Sequence, residues 1–236
     1  FDDTPSDSFY TTTQYMGAFD TDLWVSDWSW LADNERIVSG AAAGAQTVCG
    51  TISVDTTWSR DVTMSCQVFV SSGVTLTIEA GVTIESFRDD GTGLAPALIV
   101  LPGATIEASG SASAPITFTT GVTQETATGR GLWGGLIVMG NAPVYQGTQE
   151  VEGITGQTYG GNDATESSGS LEYVRVWYGG SVIGENNEIN GITLAGVGSG
   201  TTVRYCEVAF NLDDGFEMFG GTVNLKYISV LFVGDD

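Results

Sequence analysis

Tyr173-Val174-Arg175-Val176, Tyr205-Cys206-Glu207-Val208 and Tyr227-Ile228-Ser229-Val230 decide how this chain is read. The tyrosines stand 32 residues apart (205 − 173) and then 22 apart (227 − 205). Each copy alternates apolar and polar positions, the signature of a half-buried strand. A strand that returns every 20-odd residues, between turns and with no helical pattern in between, predicts the coils of a parallel β-helix. An inserted loop absorbs the longer first step. On this register Val174, Cys206 and Ile228 face inward, so Cys206 is expected as a buried, inert thiol that packs like a small hydrophobe.

Working back, Ile78-Glu79-Ala80-Gly81-Val82-Thr83-Ile84-Glu85 is echoed by Val100-Leu101-Pro102-Gly103-Ala104-Thr105-Ile106-Glu107. The glycines are again 22 residues apart (103 − 81). Glycine allows a sharp corner between strand segments. The alignment predicts that Glu85 and Glu107 stack as like charges on the outer face, an unfavourable pair unless screened.

The chain has 236 residues, 29 acidic and 7 basic side chains, a net charge of −22 and no histidine. That balance repels nucleic acid and anionic lipid. It suits high-salt or calcium-rich surroundings, where cations screen carboxylates. Without histidine, the commonest general base and transition-metal ligand is missing from these residues. Three cysteines make no disulfide framework, but Cys49 and Cys66 flank a predicted strand pair and are expected to form one bridge, which implies an oxidising compartment. No stretch reaches the ~18 apolar residues of a membrane span. No signal-peptide pattern opens the sequence; the composition favours a processed, extracellular or cell-surface form.

Residues 1–45 form a separate aromatic-rich segment. Phe9, Tyr10, Tyr15, Trp24, Trp28 and Trp30 stand among Asp and Thr. Trp24, Trp28 and Leu31 share a short helical face, with Asp22 placed to cap it. An open β-helix end must be covered, so these aromatics are expected to cap the solenoid or to contact a neighbouring subunit. Residues 46–236 are read as the solenoid, continuing beyond or stacking at residue 236. Residues 121–135, 141–170 and 181–191 break the coil spacing as three excursions; loops of that length are usually functional or mobile.

Gly131-Leu132-Trp133-Gly134-Gly135-Leu136-Ile137-Val138-Met139-Gly140-Asn141-Ala142-Pro143, Tyr159-Gly-Gly-Asn-Asp163, Glu188-Ile-Asn-Gly-Ile-Thr-Leu194 and Asp213-Asp-Gly-Phe-Glu-Met-Phe-Gly-Gly221 resemble segments of a group of secreted bacterial proteins and lipoproteins. The resemblance runs from about residue 72 to the end. It implies an all-β fold, a right-handed parallel β-helix of the pectate-lyase-like solenoid type, and an extracellular setting. It implies no particular reaction.

The best candidate chemistry is acidic. Asp213-Asp214 and Asp235-Asp236 are 22 residues apart (235 − 213), so the pairs are expected one coil apart, ~5 Å. Glu217 is close in sequence. Such oxygen ligands suit calcium; Asp89 and Asp90 form a weaker second candidate. The same Asp213, Asp214, Asp235 and Asp236 look a little like the acidic motifs of β-helical pectin hydrolases, where paired carboxylates act as acid and base, but the histidine and the Arg-x-Lys motif of those enzymes are missing here. A third reading is structural: aspartates hydrogen-bond turn amides. Arg204 and Lys226 precede their tyrosines in one column, and with Arg175 are expected to pair with outer-face carboxylates such as Glu172 and Glu207.

Two functions follow. One is a non-enzymatic structural or adhesive surface protein, the subunit of a homo-oligomeric head-to-tail fibre joined through the β-helix ends and the N-terminal segment. The other is a carbohydrate-active or polysaccharide-binding protein, with Trp133, Trp177 and Tyr178 lining a groove beside the acidic stack.

Overall fold

Strand alternation with the returning tyrosines requires that equivalent residues of successive coils lie side by side, and they do. In the computed structural model, Arg175 lies opposite Glu207, and Glu207 opposite Ser229, in parallel pairing. The structure describes residues 45–235 apart from 90–93, 122–128, 152–153, 155 and 185–186. The chain divides into residues 1–45 and 46–236. The expectations for Phe9, Tyr10, Tyr15, Trp24, Trp28 and Trp30, and for Asp22 as a cap, lie outside the described residues.

Every coil contributes three short strands to three parallel stacks. Sheet one stacks the end of Val62–Val70 on Leu98–Val100, Leu136–Met139, Ile192–Ala195 and Phe216–Phe219. Sheet two stacks Thr56–Trp58, Thr75–Ile78, Thr105–Ser109, Gly169–Glu172, Thr202–Arg204 and Asn224–Lys226. Sheet three stacks the start of Val62–Val70 on Thr83–Ser86, Ile116–Thr120, Val174–Trp177, Glu207–Ala209 and Ser229–Leu231. Gln46–Ile52 runs along the whole of Val62–Val70, with a register shift between Val48 and Gly50. Cys49 and Cys66 are joined by a disulfide in this layer.

The core follows from the register. Val68, Leu98, Leu136 and Ile192 form one buried column; Trp58, Ile78, Ala108, Leu171 and Val203 form another. Each fully buried large side chain is worth about 1.5–3 kcal/mol. Cys206 is buried in this core, as its column predicts, and burial pushes its thiol up to about 11. At Gly169 the chain passes so close to Ile106 that a Cβ would sit 2.1 Å from that carbonyl oxygen, at φ +106°. Only glycine fits there.

One expectation is corrected. Glu85 and Glu107 do not stack: Glu85 lies opposite Thr119 in sheet three, and Glu107 opposite Thr77 and Ser170 in sheet two. The glycine that stacks with Gly103 is Gly73, whose amide donates to the Gly103 carbonyl at 2.8 Å. The 22-residue echo compared corners of two different faces. The like-charge pair it predicted never forms.

The corners carry the unusual geometry. Between sheets two and three the last three coils turn sharply at Tyr173, Tyr205 and Tyr227, at φ +50°, +55° and +57°. At the far end of sheet three Tyr178, Phe210 and Phe232 repeat this at φ +65°, +56° and +56°. A bulky residue at positive φ is a genuine outlier, costing roughly 1–2 kcal/mol. Ring stacking offsets it. Tyr173–Tyr205 and Tyr205–Tyr227 are each 4.6 Å apart, and Tyr178–Phe210 and Phe210–Phe232 are 5.2 and 5.1 Å apart. Each such contact is worth about 0.5–1.5 kcal/mol.

The long excursion after Leu136–Met139 folds back over sheet one. Gln149–Glu150 and Thr158–Tyr159 pair antiparallel. Val151, Ile154 and Tyr159 pack with the outward-facing Ile99, Ile137, Met139 and Ala195 in a second buried cluster. Asp163 and Gly160 amides bond Asn141 and Gly140 carbonyls, and Glu166 accepts the Gly198 amide. Leu98–Val100, Leu136–Met139 and Ile192–Ala195 are therefore buried on both faces.

Candidate functional site

The acidic corner is built by the turn that leaves sheet three. Phe210 turns the chain, and Asn211, fully buried, donates its Nδ2 to the Asp214 carbonyl at 2.8 Å. The Leu212 amide donates to Gly179 O at 3.0 Å, and the Gly191 amide to Asp214 O at 3.0 Å. Both bonds pin the turn to the preceding coil. One coil further on, Gly234 packs against Leu212, where a Cβ would sit 1.7 Å from the Leu212 oxygen. This close contact sets Asp235 beside Asp213.

As a result one carboxylate oxygen each from Asp213, Asp214 and Asp235 lies within 4.8 Å of the others. Asp213 and Asp214 are half-buried and Asp235 is exposed. Burial, and then the charge of Asp235, push the Asp213 carboxyl above the usual carboxylate range; the Asp214 amide opposes this. Three convergent carboxylates are a donor set that a hard cation such as calcium takes, with further oxygens completing six to eight ligands. They are also an acid–base pair with a bystander, if one proton is shared.

Among the described residues, Glu217 is not brought into this group. It stands in Phe216–Phe219 and accepts from Asn190 Nδ2. Asp89 accepts from Ser181 Oγ and donates its amide to Leu132 O at 2.7 Å. Asp90 and Asp236 lie outside the described residues. Sequence reasoning missed Asn211, the buried amide that holds the acidic turn, and Asn190, the buried amide that donates to Glu217. An Asn two residues before an Asp pair, within a turn, was the available signal.

The aromatic groove expected beside the acids is corrected too. Trp133 is fully buried, donating Nε1 to Trp177 O at 2.8 Å, and Tyr178 is 2% exposed in the corner stack. They pack the solenoid instead of lining a groove. Trp177 is half-buried, and its Nε1 donates to Glu207 at 3.1 Å. Arg204 pairs with Glu172 at 2.7 Å, as expected, whereas Glu207 is taken by Trp177.

These coils define a pectate-lyase-like solenoid: three parallel sheets joined by corners, with no α-helix among the described residues. The chain matches the family model described as a pectate-lyase-like beta helix domain over residues 50–236, and it belongs to that family. No curated protein and no solved structure shows a significant match to it.

Proposed function

We propose that this chain is a structural or adhesive element of an extracellular surface: a stiff rod that lengthens when a further coil stacks on its last described rung. The observation that carries this reading is the regular parallel stack: equivalent residues of successive coils pair in register, and aromatic ladders join the corners at 4.6 to 5.2 Å. Such a repeat is stiff and is extended by further coils of the same kind. Two features support the reading. The outer face of sheet one is filled by the chain's own excursion, and the Cys49–Cys66 bridge suits an oxidising compartment. Electron microscopy of the purified protein tests it. Head-to-tail rods that shorten in Val230→Asp/Phe232→Asp are expected; single short particles at micromolar concentration, unchanged by the substitutions, contradict it.

A second reading is carbohydrate-active or polysaccharide-binding chemistry at Asp213, Asp214 and Asp235. It is favoured by the raised Asp213 carboxyl next to an exposed one, the arrangement that separates an acid from a base. Turnover or binding of acidic polysaccharides that disappears in Asp213→Asn and Asp235→Asn supports it. Unaltered behaviour in both variants removes it.

A further inference from the structure

The cations of this acidic chain are not scattered. Among the six described basic residues, Arg175, Arg204 and Lys226 stand along the tyrosine corner of the last three coils. Beside that corner is a concavity of about 250 Å³, walled by Pro115 and lined by Tyr173, Tyr205, Tyr227, Arg175, Glu207 and Ser229. Arg204 is committed to Glu172. The Arg175 guanidinium lies over Trp177 at 5.5 Å and the Lys226 ammonium over Tyr227 at 4.8 Å; neither has an ion pair among the described residues. Nor do the tyrosine hydroxyls hydrogen-bond any described residue. The one carboxylate in the concavity, Glu207, already accepts from Trp177. The surface is rich in free donors, so its partner must be rich in acceptors.

We propose that this corner is a contact surface for a second copy of the chain, and that it takes the Asp213/Asp214/Asp235 corner of that copy. Charge complementarity is the first argument. The cation corner opens the strands of sheet three and the acidic corner follows their ends, so the two columns flank one face. Spacing is the second argument. Lys226 stands on the coil of Asp235, and Arg175, whose register partner Glu207 shares a coil with Asp213, stands one coil from it. With the rungs level, each free cation is therefore on, or one ~4.8 Å strand spacing from, the level of a carboxylate of the other copy. Symmetry is the third. A half-turn about a line parallel to the solenoid axis keeps the rungs level and reverses the strand direction. It sets each cation corner against the other copy's acidic corner, twice over, in an isologous contact that closes at two copies. The acidic column alone would assign nothing; its match to a donor-rich corner of the same chain does.

Each copy carries a net charge of −22, so long-range repulsion opposes the contact. Near 0.15 M salt the Debye length is about 8 Å, which screens the distant charges and leaves close pairs effective; at 1 M it is about 3 Å. The dimer is thus expected near physiological salt and lost at high salt. End-to-end stacking of apolar rungs would instead hold or strengthen with a salting-out salt.

Sedimentation of the full chain in a Val230→Asp/Phe232→Asp background, which removes the end-to-end stacking proposed above, tests the proposal in chelator, up to millimolar concentration. Two-copy mass near 0.15 M salt and one-copy mass near 1 M are expected. Arg175→Glu/Lys226→Glu alone should be monomeric, as should Asp213→Lys/Asp235→Lys alone, and the mixture of the two should restore the two-copy mass. Asp213→Asn/Asp235→Asn, which should fold where the lysines might disturb the turn, is expected to weaken the dimer at least tenfold. Association that persists in high salt or in the Arg175/Lys226 variant overturns the proposal. So does a monomer under every condition, and so does a folded charge-reversed pair that fails to combine.

Discussion

The rings of Tyr205 and Tyr227 stack at 4.6 Å with their planes 12° apart, although both residues occupy the left-handed region at φ +55° and +57°. The strain and the stack oppose each other at one position. Glycine at 205 loses the stacks and relieves the strain; alanine loses the stacks and keeps it. Tyr205→Ala is therefore expected to destabilise more than Tyr205→Gly, by about 1 kcal/mol. Denaturant unfolding of the two variants checks the order, and equal or reversed stabilities would show that the backbone there is unstrained.

Asp213 gives a pH prediction. Its carboxyl is raised in the folded protein, chiefly by burial and then by Asp235, while in the unfolded chain it stays near ~3.9. An acid with a raised folded value binds more protons folded than unfolded, so stability falls as pH rises through that window. Asp213→Asn is expected to raise the melting temperature at neutral pH and to leave it unchanged in acid well below the unfolded value. Repeating the melts with calcium tests the cation reading: a rise in wild type that Asp213→Asn abolishes supports it, and no rise removes it.

How much was legible follows from where the coils are uninterrupted. The last step of the tyrosine column carries no inserted loop, so Tyr205, Tyr227, Asp213 and Asp235 could be aligned by counting. In the first coils Gly73-Val74-Thr75-Leu76, Gly81-Val82-Thr83-Ile84 and Gly103-Ala104-Thr105-Ile106 look alike. Each is a turn entering a strand, and local geometry is the same at every corner; only the pairing distinguishes the faces. That is why Glu85 and Glu107 were placed together. The cover over sheet one was hidden because excursions have no period, yet the unbroken runs Leu98-Ile99-Val100 and Leu136-Ile137-Val138-Met139 carried the mark of strands buried on both faces.

Gly169→Ala tests the tightest coil contact. A Cβ there meets the Ile106 carbonyl oxygen at 2.1 Å, with φ at +106°. Backbone on both sides cannot yield cheaply, so a loss of about 3 kcal/mol or more is expected. Gly147→Ala is the control, since a Cβ there meets nothing within 4 Å although φ is also positive. It should cost about 1–2 kcal/mol. Equilibrium unfolding that ranks them otherwise would refute the packing between these coils.

The Cys49–Cys66 bridge closes a short loop, at a sequence separation of 17. Loop-closure entropy for that length is about 3 kcal/mol. Cys49→Ala/Cys66→Ala should lose up to that amount, and thiol-specific labelling of the native protein should find neither sulfur.

The stacking register is tested most directly by cross-linking. Thr202 and Asn224 are register partners on successive coils of sheet two, at the ~4.8 Å spacing within which a disulfide closes. In a Cys206→Val background, Thr202→Cys/Asn224→Cys should oxidise to an intrachain bridge in the folded protein, while Thr202→Cys/Lys226→Cys, two residues out of register, should remain reduced. Closure of the second pair in place of the first, or of neither, would contradict the coiled account of this chain.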